Sequence, residues 1–481
     1  MSDVVARRAE GWGPRGLLWA LAPVLLAVPL LLAPLRAPVA GSDEGLLLVH
    51  PDSVARGQVA HRDFATVYGP MTYWVLAAAY RVFGDDLVVE RSVGVAYRVV
   101  IALAVVLLLR RCVPPVAASS AGLASVVLAS VHAPLAYAYH GAVAAVLTGL
   151  VLLTSDRTVA RALGGVAIGL AASFRPEMGL LGLAAVPLLR GRALGPPVLG
   201  WVLGLAPLVG HLVVGGRSVL DDVVLGRAGV NSQVRPLSAL LVSAAVVLVG
   251  VAALLWLHGR RAGDPAVRAL GVLGVLLVPN MVQRLDIPHV MWPASVVLAA
   301  GTAVLVARVP WLRAGPLRWV PGLSAAGLAA VLGVPALLQA APVVHHDGRS
   351  IHVAPAQVGP VQQVLRTVDE VSGPSDVVFV GAQDLSQPVL PSSWLYHLLP
   401  AHPRPFRYEE FLPGRTEQHG SGLVEDLRAS DVLVLEDLDE LGTRLAPYVP
   451  RGPEAANDVV RREFRPVARH GDTLVLVRRD R

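Results

Sequence analysis

The sequence has no lysine, only one cysteine and few charged or aromatic side chains. Of its 481 residues, 16% are charged and 5% are aromatic, whereas 54% are hydrophobic. Soluble domains carry roughly 25% charged residues, so this composition excludes a soluble enzyme and a disordered chain. The lone Cys112 cannot form an intrachain disulfide, which excludes a disulfide scaffold. The remaining class is a polytopic membrane protein.

All 41 basic residues are therefore arginine, and the formal net charge is +6. The arginines are scattered among apolar runs and form no basic stripe interleaved with aromatic residues. We therefore predict that the protein has no nucleic acid partner.

Apolar runs predict a polytopic α-helical membrane protein of about 11 spans. The first run has about 20 residues, enough for roughly 30 Å of helix across a bilayer. No small-residue cleavage site follows a short core, so a retained helix is favoured over a signal peptide. The runs cover residues 16–35, 93–109, 115–131, 134–153, 159–173, 177–189, 196–214, 237–257, 266–281, 288–308 and 318–340.

Arginine positions predict the orientation of these spans. With the N-terminus in the cytoplasm, every short cytoplasmic segment carries at least two arginines, whereas the short outer turns carry at most one. This is the positive-inside pattern of an integral protein of the plasma membrane. The cytoplasmic segments are 110–111, 157–161, 190–192, 260–268 and 308–318. The large first loop, 36–91, then lies outside.

The chain changes character near residue 342, so we predict a membrane domain, 1–341, and an extracytoplasmic α/β domain, 342–481. Short apolar runs bounded by polar residues predict strands at 376–380, 431–435 and 472–477. Helices are predicted at 356–371 and 423–429. The favoured role of this domain is to cover or shape the outer face of the membrane part, rather than to catalyse independently.

Polar residues of the outer segments predict a site at the outer membrane face. Mid-bilayer charges are costly, and the middles of the apolar runs are nearly free of them. Loop 36–91 instead contains Asp43-Glu44, Arg62-Asp63-Phe64 and Tyr68-Gly69-Pro70. A loop of this length with aromatic residues is more than a connection.

These motifs, together with Glu90-Arg91, resemble the GT-C superfamily of membrane glycosyltransferases. The similarity is to the bacterial branch related to protein O-mannosyltransferases and lipid A aminoarabinose transferases. Two outer turns also resemble that branch, Ser173-Phe174-Arg175-Pro176-Glu177 and residues 283–289, as do the C-terminal domain and its Pro413-Gly414-Arg415 turn. The resemblance implies a GT-C-like fold and a sugar donor carried on polyprenyl phosphate.

The resemblance implies that Asp43 is the general base. A polyprenyl phosphate leaves as a stabilised anion, so one carboxylate that accepts the acceptor's proton is sufficient. Glu44 is predicted to orient the acceptor, with support of a divalent cation as the alternative. Asp63 either positions the acceptor or a metal, or caps residues 64–66. Arg62 and Tyr68 are candidate substrate-binding residues. For Arg62 the favoured interpretation is a loop salt bridge, and for Tyr68 it is a turn into an interfacial helix at 71–83.

The leaving phosphate requires positive charge, and arginine binds phosphate with two donors. Arg284 is the predicted phosphate contact, with Asp286 holding it or His289 in place; an interfacial pair that anchors the turn is the alternative. Arg175 and Glu177 form a similar pair at another outer turn, and the role of this pair is either functional or structural. A metal site of histidine and aspartate is weakly indicated, because no second ligand cluster has recognised spacing.

The sequence thus predicts an inverting glycosyltransferase. It would transfer a sugar from a polyprenyl-phosphate donor, within the lipid bilayer, to a glycan, lipid or protein acceptor. Two alternatives stay open. A transporter or flippase of lipid-linked sugars would require ionisable residues within spans or repeated halves. A non-catalytic membrane scaffold would tolerate changes throughout residues 43–68.

Overall fold

The described residues up to Leu338 are mostly helical. The computed structural model describes residues 14–110, 113–130, 133–190, 194–226, 239–283, 287–308, 323–324, 327, 329–387, 390–405, 416–438 and 450–480. The helices up to residue 220 are α1 Pro14–Leu26, α2 Val28–Leu32, α3 Ser42–Ala55, α4 Pro70–Phe83, α5 Leu87–Leu109, α6 Pro115–Ala129, α7 Ala138–Leu153, α8 Thr158–Phe174, α9 Pro176–Arg190, α10 Gly195–Gly204, α11 Ala206–Gly215 and α12 Arg217–Leu220. They are followed by α13 Ala239–Ala262, α14 Pro265–Gln283, α15 Ile287–Arg308 and α16 Val334–Leu338.

Several of these helices are long and apolar enough to cross a membrane, so the protein is an integral membrane protein. Among the described residues there are five: Gly16–Arg36, Leu87–Leu109, Gly195–Gly215, Val242–Arg261 and His289–Ala307. Shorter apolar helices of 10–17 residues pack among them, including α7 and α8. The count of about 11 spans stays a prediction.

Part of the predicted outer loop 36–91 forms helix α3, which the sequence interpretation did not anticipate. Helix α3 begins at Ser42, after Gly41 with φ of 85°. Its residues from Glu44 to Pro51 are all buried, so they show none of the apolar–polar periodicity that identifies a surface helix. The helix predicted at 71–83 is present as α4, which begins at Pro70, and its interfacial location stays a prediction.

The C-terminal part contains two sheets, and the strands and helices predicted there are present. Strands β1 Val343–His346 and β2 Arg349–His352 form an antiparallel hairpin. The four-stranded sheet has the order β3-β4-β6-β5. Its strands are β3 Val378–Ala382, β4 Val432–Glu436, β5 Phe464–His470 and β6 Thr473–Arg478. Strands β3 and β4 are parallel, and the other neighbours are antiparallel. The helices are α17 Val358–Val371, α18 Leu395–Leu398, α19 Leu423–Ala429 and α20 Ala455–Glu463.

One hydrophobic core joins the C-terminal part to helix α3. Leu47 and Leu48 of α3 lie in the same buried cluster as Trp394 and Leu395. The C-terminal part therefore packs directly on the helix that carries Asp43, which is the helix that follows the first candidate span.

Candidate active site

Asp43 lies in the first turn of α3 and not in an extended loop. A carboxylate is favoured there by the positive end of the helix dipole. Its side chain is half-buried, and its Oδ2 accepts a hydrogen bond of 3.0 Å from the Tyr137 hydroxyl. Tyr137 immediately precedes α7. The two residues are far apart in the chain, and this hydrogen bond orients the predicted base.

Tyr137 belongs to an aromatic cluster centred on Trp292 of α15. The Trp292 ring centroid lies 5.3 Å from that of Tyr137 and 5.0 Å from that of Tyr139, on which it stacks. The His140 and His289 rings lie 5.4 and 4.5 Å from Trp292. We call these five residues the aromatic cluster. It connects α7 to the N-terminal end of α15, so His289 and the Asp43–Tyr137 pair belong to one set of contacts.

Arg175 contacts the aromatic cluster through Tyr139 and pairs with Glu177. The Arg175 Cζ atom is 5.7 Å from the Tyr139 ring centroid, a cation–π distance. Its Nε donates to Glu177 Oε1 at 2.7 Å. The predicted residues Asp43, Arg175, Glu177 and His289 therefore meet through one network. Sequence reasoning missed the connecting Tyr137, Tyr139 and Trp292, although all three lie close to predicted outer turns.

Glu44 is fully buried against Arg91. The Arg91 Nε and Nη2 atoms donate to its two carboxylate oxygens at 2.6 and 2.9 Å, and both side chains are 0% exposed. The Ala40 N–H also donates to Glu44. Arg91 further donates to the carbonyl oxygens of Pro34, Leu35, Ala37 and Pro38. Glu44 thus connects α3 to α5, and its predicted roles toward the acceptor or a cation stay predictions.

Arg62 and Asp63 form a local ion pair. The Arg62 guanidinium donates twice to Asp63, at 2.8 and 2.7 Å, and its side chain is 51% exposed. The Arg62 hydrogen bond lowers the pKa of Asp63 below its ordinary value. Asp63 also accepts from the Val59 N–H at 2.7 Å, so it caps the residues before it and not Phe64. This arrangement matches the loop salt bridge favoured for Arg62.

The Tyr68-Gly69-Pro70 turn contacts the second predicted motif. The Gly69 N–H donates to the Phe174 carbonyl at 3.1 Å, directly before Arg175. An added Cβ on Gly69 would overlap the carbonyl oxygens of Ser173 and Phe174, so only glycine fits. Tyr68 is half-buried and packs beside Ala60, Phe64 and Tyr73. The turn therefore holds the two motifs together.

Two buried side chains of α5 hold the segment that presents Tyr137. Glu90 Oε1 accepts from the Ala136 N–H at 2.6 Å. Arg98 donates to the carbonyl oxygens of Leu135 and Ala133, at 2.9 and 3.3 Å. The sequence indicated Glu90 through the resemblance, whereas Arg98 gave no signal.

Three further predicted features lie outside the described residues: Arg284, Asp286 and the Pro413-Gly414-Arg415 turn. Within the described part of the chain, no group of three or more His, Cys, Asp or Glu side chains has the geometry of a metal site. A divalent cation stays a prediction.

The helices and the C-terminal α/β part together have the GT-C-like fold that the sequence predicted. The chain is similar to ArnT from Cupriavidus metallidurans. The structure of ArnT bound to undecaprenyl phosphate matches with a TM-score of 0.56 at 15% identity, over 95% of this chain and 97% of ArnT. The apo structure of ArnT matches with a TM-score of 0.59 at 14% identity, over 94% and 96%.

A weaker similarity is to the apo oligosaccharyltransferase of Archaeoglobus fulgidus. Its TM-score is 0.48 at 12% identity, over 87% of this chain and 70% of that one. No protein-family model matches the sequence, and no curated protein sequence matches it significantly.

Proposed function

We propose that the protein is a membrane glycosyltransferase that moves a sugar from a polyprenyl-phosphate donor to an envelope acceptor. The observation that carries this proposal is the convergence of Asp43, Arg175 and His289, from three separate segments, on one aromatic cluster. A carboxylate, a guanidinium and aromatic rings are the groups that an acceptor hydroxyl, a phosphate and a sugar ring require. The fold shared with ArnT supports the same assignment, since one ArnT structure holds undecaprenyl phosphate.

The reaction is a single displacement with Asp43 as base. The acceptor hydroxyl attacks the anomeric carbon, its proton passes to Asp43, and the bond from that carbon to the phosphate oxygen breaks. The polyprenyl phosphate leaves as an anion and needs no proton. Attack opposite the leaving group inverts the anomeric centre. The Tyr137 hydrogen bond fixes one carboxylate oxygen during the attack.

Positive charge near the aromatic cluster would receive the leaving phosphate. Arg175 is only 6% exposed, and a guanidinium in such a dry setting interacts strongly with an anion. Arg284 and Asp286 are proposed for the same end of the site, beside His289. Replacing Arg175 by Gln, or Arg284 by Ala, is expected to weaken binding of undecaprenyl phosphate to the purified protein. Unchanged affinity in both variants would refute the phosphate role.

The orientation that follows from the arginine pattern places this site at the outer face. About 11 spans with a cytoplasmic N-terminus put α3, the aromatic cluster and residues 342–481 on the extracytoplasmic side. The acceptor is then a hydroxyl of an envelope glycan, lipid or protein.

The first experiment replaces Asp43 by Asn in the purified protein. A panel of polyprenyl-phosphate sugars with a labelled sugar serves as donor, and isolated cell envelope serves as acceptor. The rate of label transfer is expected to fall by about 100-fold or more, because a general base contributes at least that factor. Asp156→Asn is the control, since that side chain is 95% exposed and distant in sequence from every candidate residue. Full transfer by Asp43→Asn eliminates Asp43 as the base.

The alternatives make different predictions in the same assay. A flippase moves the lipid-linked sugar but labels no acceptor, and a scaffold is insensitive to Asp43→Asn. Helix α5 does bury Arg91 and Arg98, as the transporter alternative would require. Both guanidinium groups, however, bind backbone carbonyls of neighbouring segments, which is a structural use of the charge.

A further inference from the structure

The helix that carries Asp43 is held in place by the C-terminal domain as well as by the membrane helices. Leu47 and Leu48 on one side of α3 are completely buried in a cluster with Trp394 and Leu395. An Arg404 guanidinium nitrogen also donates to Ser53 Oγ at 2.6 Å, near the other end of α3. The domain therefore contacts α3 along its length.

The contact is closest at the turn that contains Asp43. Ser393 Oγ donates to the carbonyl oxygen of Ser42 at 2.7 Å, and the two residues are 1% and 7% exposed. An added Cβ on Gly45 would overlap the backbone nitrogen of Trp394 and the Oγ of Ser393. The two backbones can approach this closely only because residue 45 is glycine.

Asp43 is thus bracketed by two fixed neighbours. The carbonyl of Ser42 is held by Ser393, and the carboxylate of Glu44 is held by Arg91. The backbone of Asp43 has little freedom between these anchors, while Tyr137 fixes its side chain. One anchor comes from helix α5 and the other comes from the C-terminal domain.

We propose that Ser393 is a positioning residue for Asp43, so that the C-terminal domain completes the reaction centre instead of only covering it. The inference rests on the proposed role of Asp43 as base. Loss of the Ser393 hydrogen bond would let the first turn of α3 shift relative to the bound acceptor. A displacement of about 1 Å in such a group is enough to slow a reaction by roughly 100-fold.

The test compares Ser393→Ala with Ser430→Ala. Ser430 Oγ also donates to a backbone carbonyl at 2.7 Å and is fully buried, but its acceptor, Asp426, lies within the C-terminal domain. The two variants lose the same type of hydrogen bond and are expected to lower the melting temperature equally. Only Ser393→Ala should reduce kcat, by about 10-fold or more, with an unchanged KM for the polyprenyl-phosphate sugar.

Hydrogen–deuterium exchange of residues 42–47 provides a readout that needs no activity. Exchange there is expected to rise in Ser393→Ala and to stay unchanged in Ser430→Ala. Equal exchange in the two variants, or equal kcat, overturns the positioning role. If the unaltered protein transfers no sugar from any donor while exchange rises only in Ser393→Ala, the proposed function fails and the anchoring of α3 stands.

Discussion

Replacing Glu44 by Gln is expected to destabilise the protein strongly, because it leaves a buried guanidinium without its counter-charge. Glu44 and Arg91 are both 0% exposed and make two hydrogen bonds, at 2.6 and 2.9 Å. The amide of Gln has nearly the same shape as the carboxylate but carries no charge and presents only one acceptor. One of the two Arg91 hydrogen bonds is therefore lost, because the NH2 group of Gln is a donor and would face an Arg91 N–H, which is also a donor.

The magnitude follows from the burial of the pair. Removing one partner of a buried ion pair costs about 3–5 kcal/mol, since the remaining charge is unpaired. Arg91 keeps its hydrogen bonds to the carbonyls of residues 34–38, which disperse part of its charge. We therefore expect a loss near the lower end, about 3 kcal/mol. In a chain of this size, that corresponds to a fall of several degrees in the melting temperature.

The assay is thermal unfolding of the detergent-solubilised protein, followed by tryptophan fluorescence. Asp458→Asn is the control, because it breaks an exposed pair with Arg461 whose side chains are 40% and 60% exposed. Surface pairs of this kind contribute little, so the control should unfold at the unaltered temperature. Equal melting temperatures for Glu44→Gln and the unaltered protein would show that the pair does not secure α3, and would return Glu44 to the candidates for acceptor or cation binding.

Three further outcomes are expected. Tyr137→Phe removes the hydroxyl that holds Asp43, so kcat should fall about 10-fold while undecaprenyl phosphate binding is retained; equal kcat would exclude this contact from the reaction. Gly45→Ala should lower both the melting temperature and kcat because its Cβ overlaps Trp394, whereas Gly359→Ala, with open space around it, should not. Burial and His211 lower the pKa of His61 to about 3, so stability should decline as pH falls below about 6.5, where only the unfolded state binds the proton. In His61→Asn, which tolerates the positive φ of 66°, melting temperatures at pH 7.5 and 5 should differ less than in the unaltered protein.

The sequence predicted those features that depend on local pattern. The strands of the C-terminal sheet follow from short apolar runs between polar residues, and β3, β4 and β6 lie where those runs predicted them. Arg175 and Glu177 are two residues apart, so their pairing was visible from spacing. The convergence of these residues was expected from the predicted placement of their segments at one membrane face, and the structure brings together Asp43, Arg175, Glu177 and His289 around the aromatic cluster.

Long-range partners could not be predicted because no local pattern encodes them. Tyr137 is separated from Asp43 by 94 positions, and Arg91 from Glu44 by 47. Helix α3 was missed for a related reason, since burial on all sides removes the periodicity that distinguishes a helix from an apolar loop. Such a helix can be recognised only from the residues that bury it, and here those residues include some from the C-terminal part of the chain.

Helix α5 holds the segments that carry both partners of the hydrogen bond between Tyr137 and Asp43, the predicted base. Arg91 and Arg98 are seven residues apart, about two helical turns, so they lie on one face of α5. The first binds the segment 34–38 that leads into α3, and the second binds the carbonyls of Leu135 and Ala133, just before Tyr137. The carbonyls of Ala37, Pro38 and Leu135 lie outside the helices and strands, and a buried carbonyl without a partner is costly. The two guanidinium groups satisfy that requirement and, by the same contacts, set the distance between Asp43 and Tyr137. Buried arginine on this helix therefore provides precision at the site rather than charge for substrate.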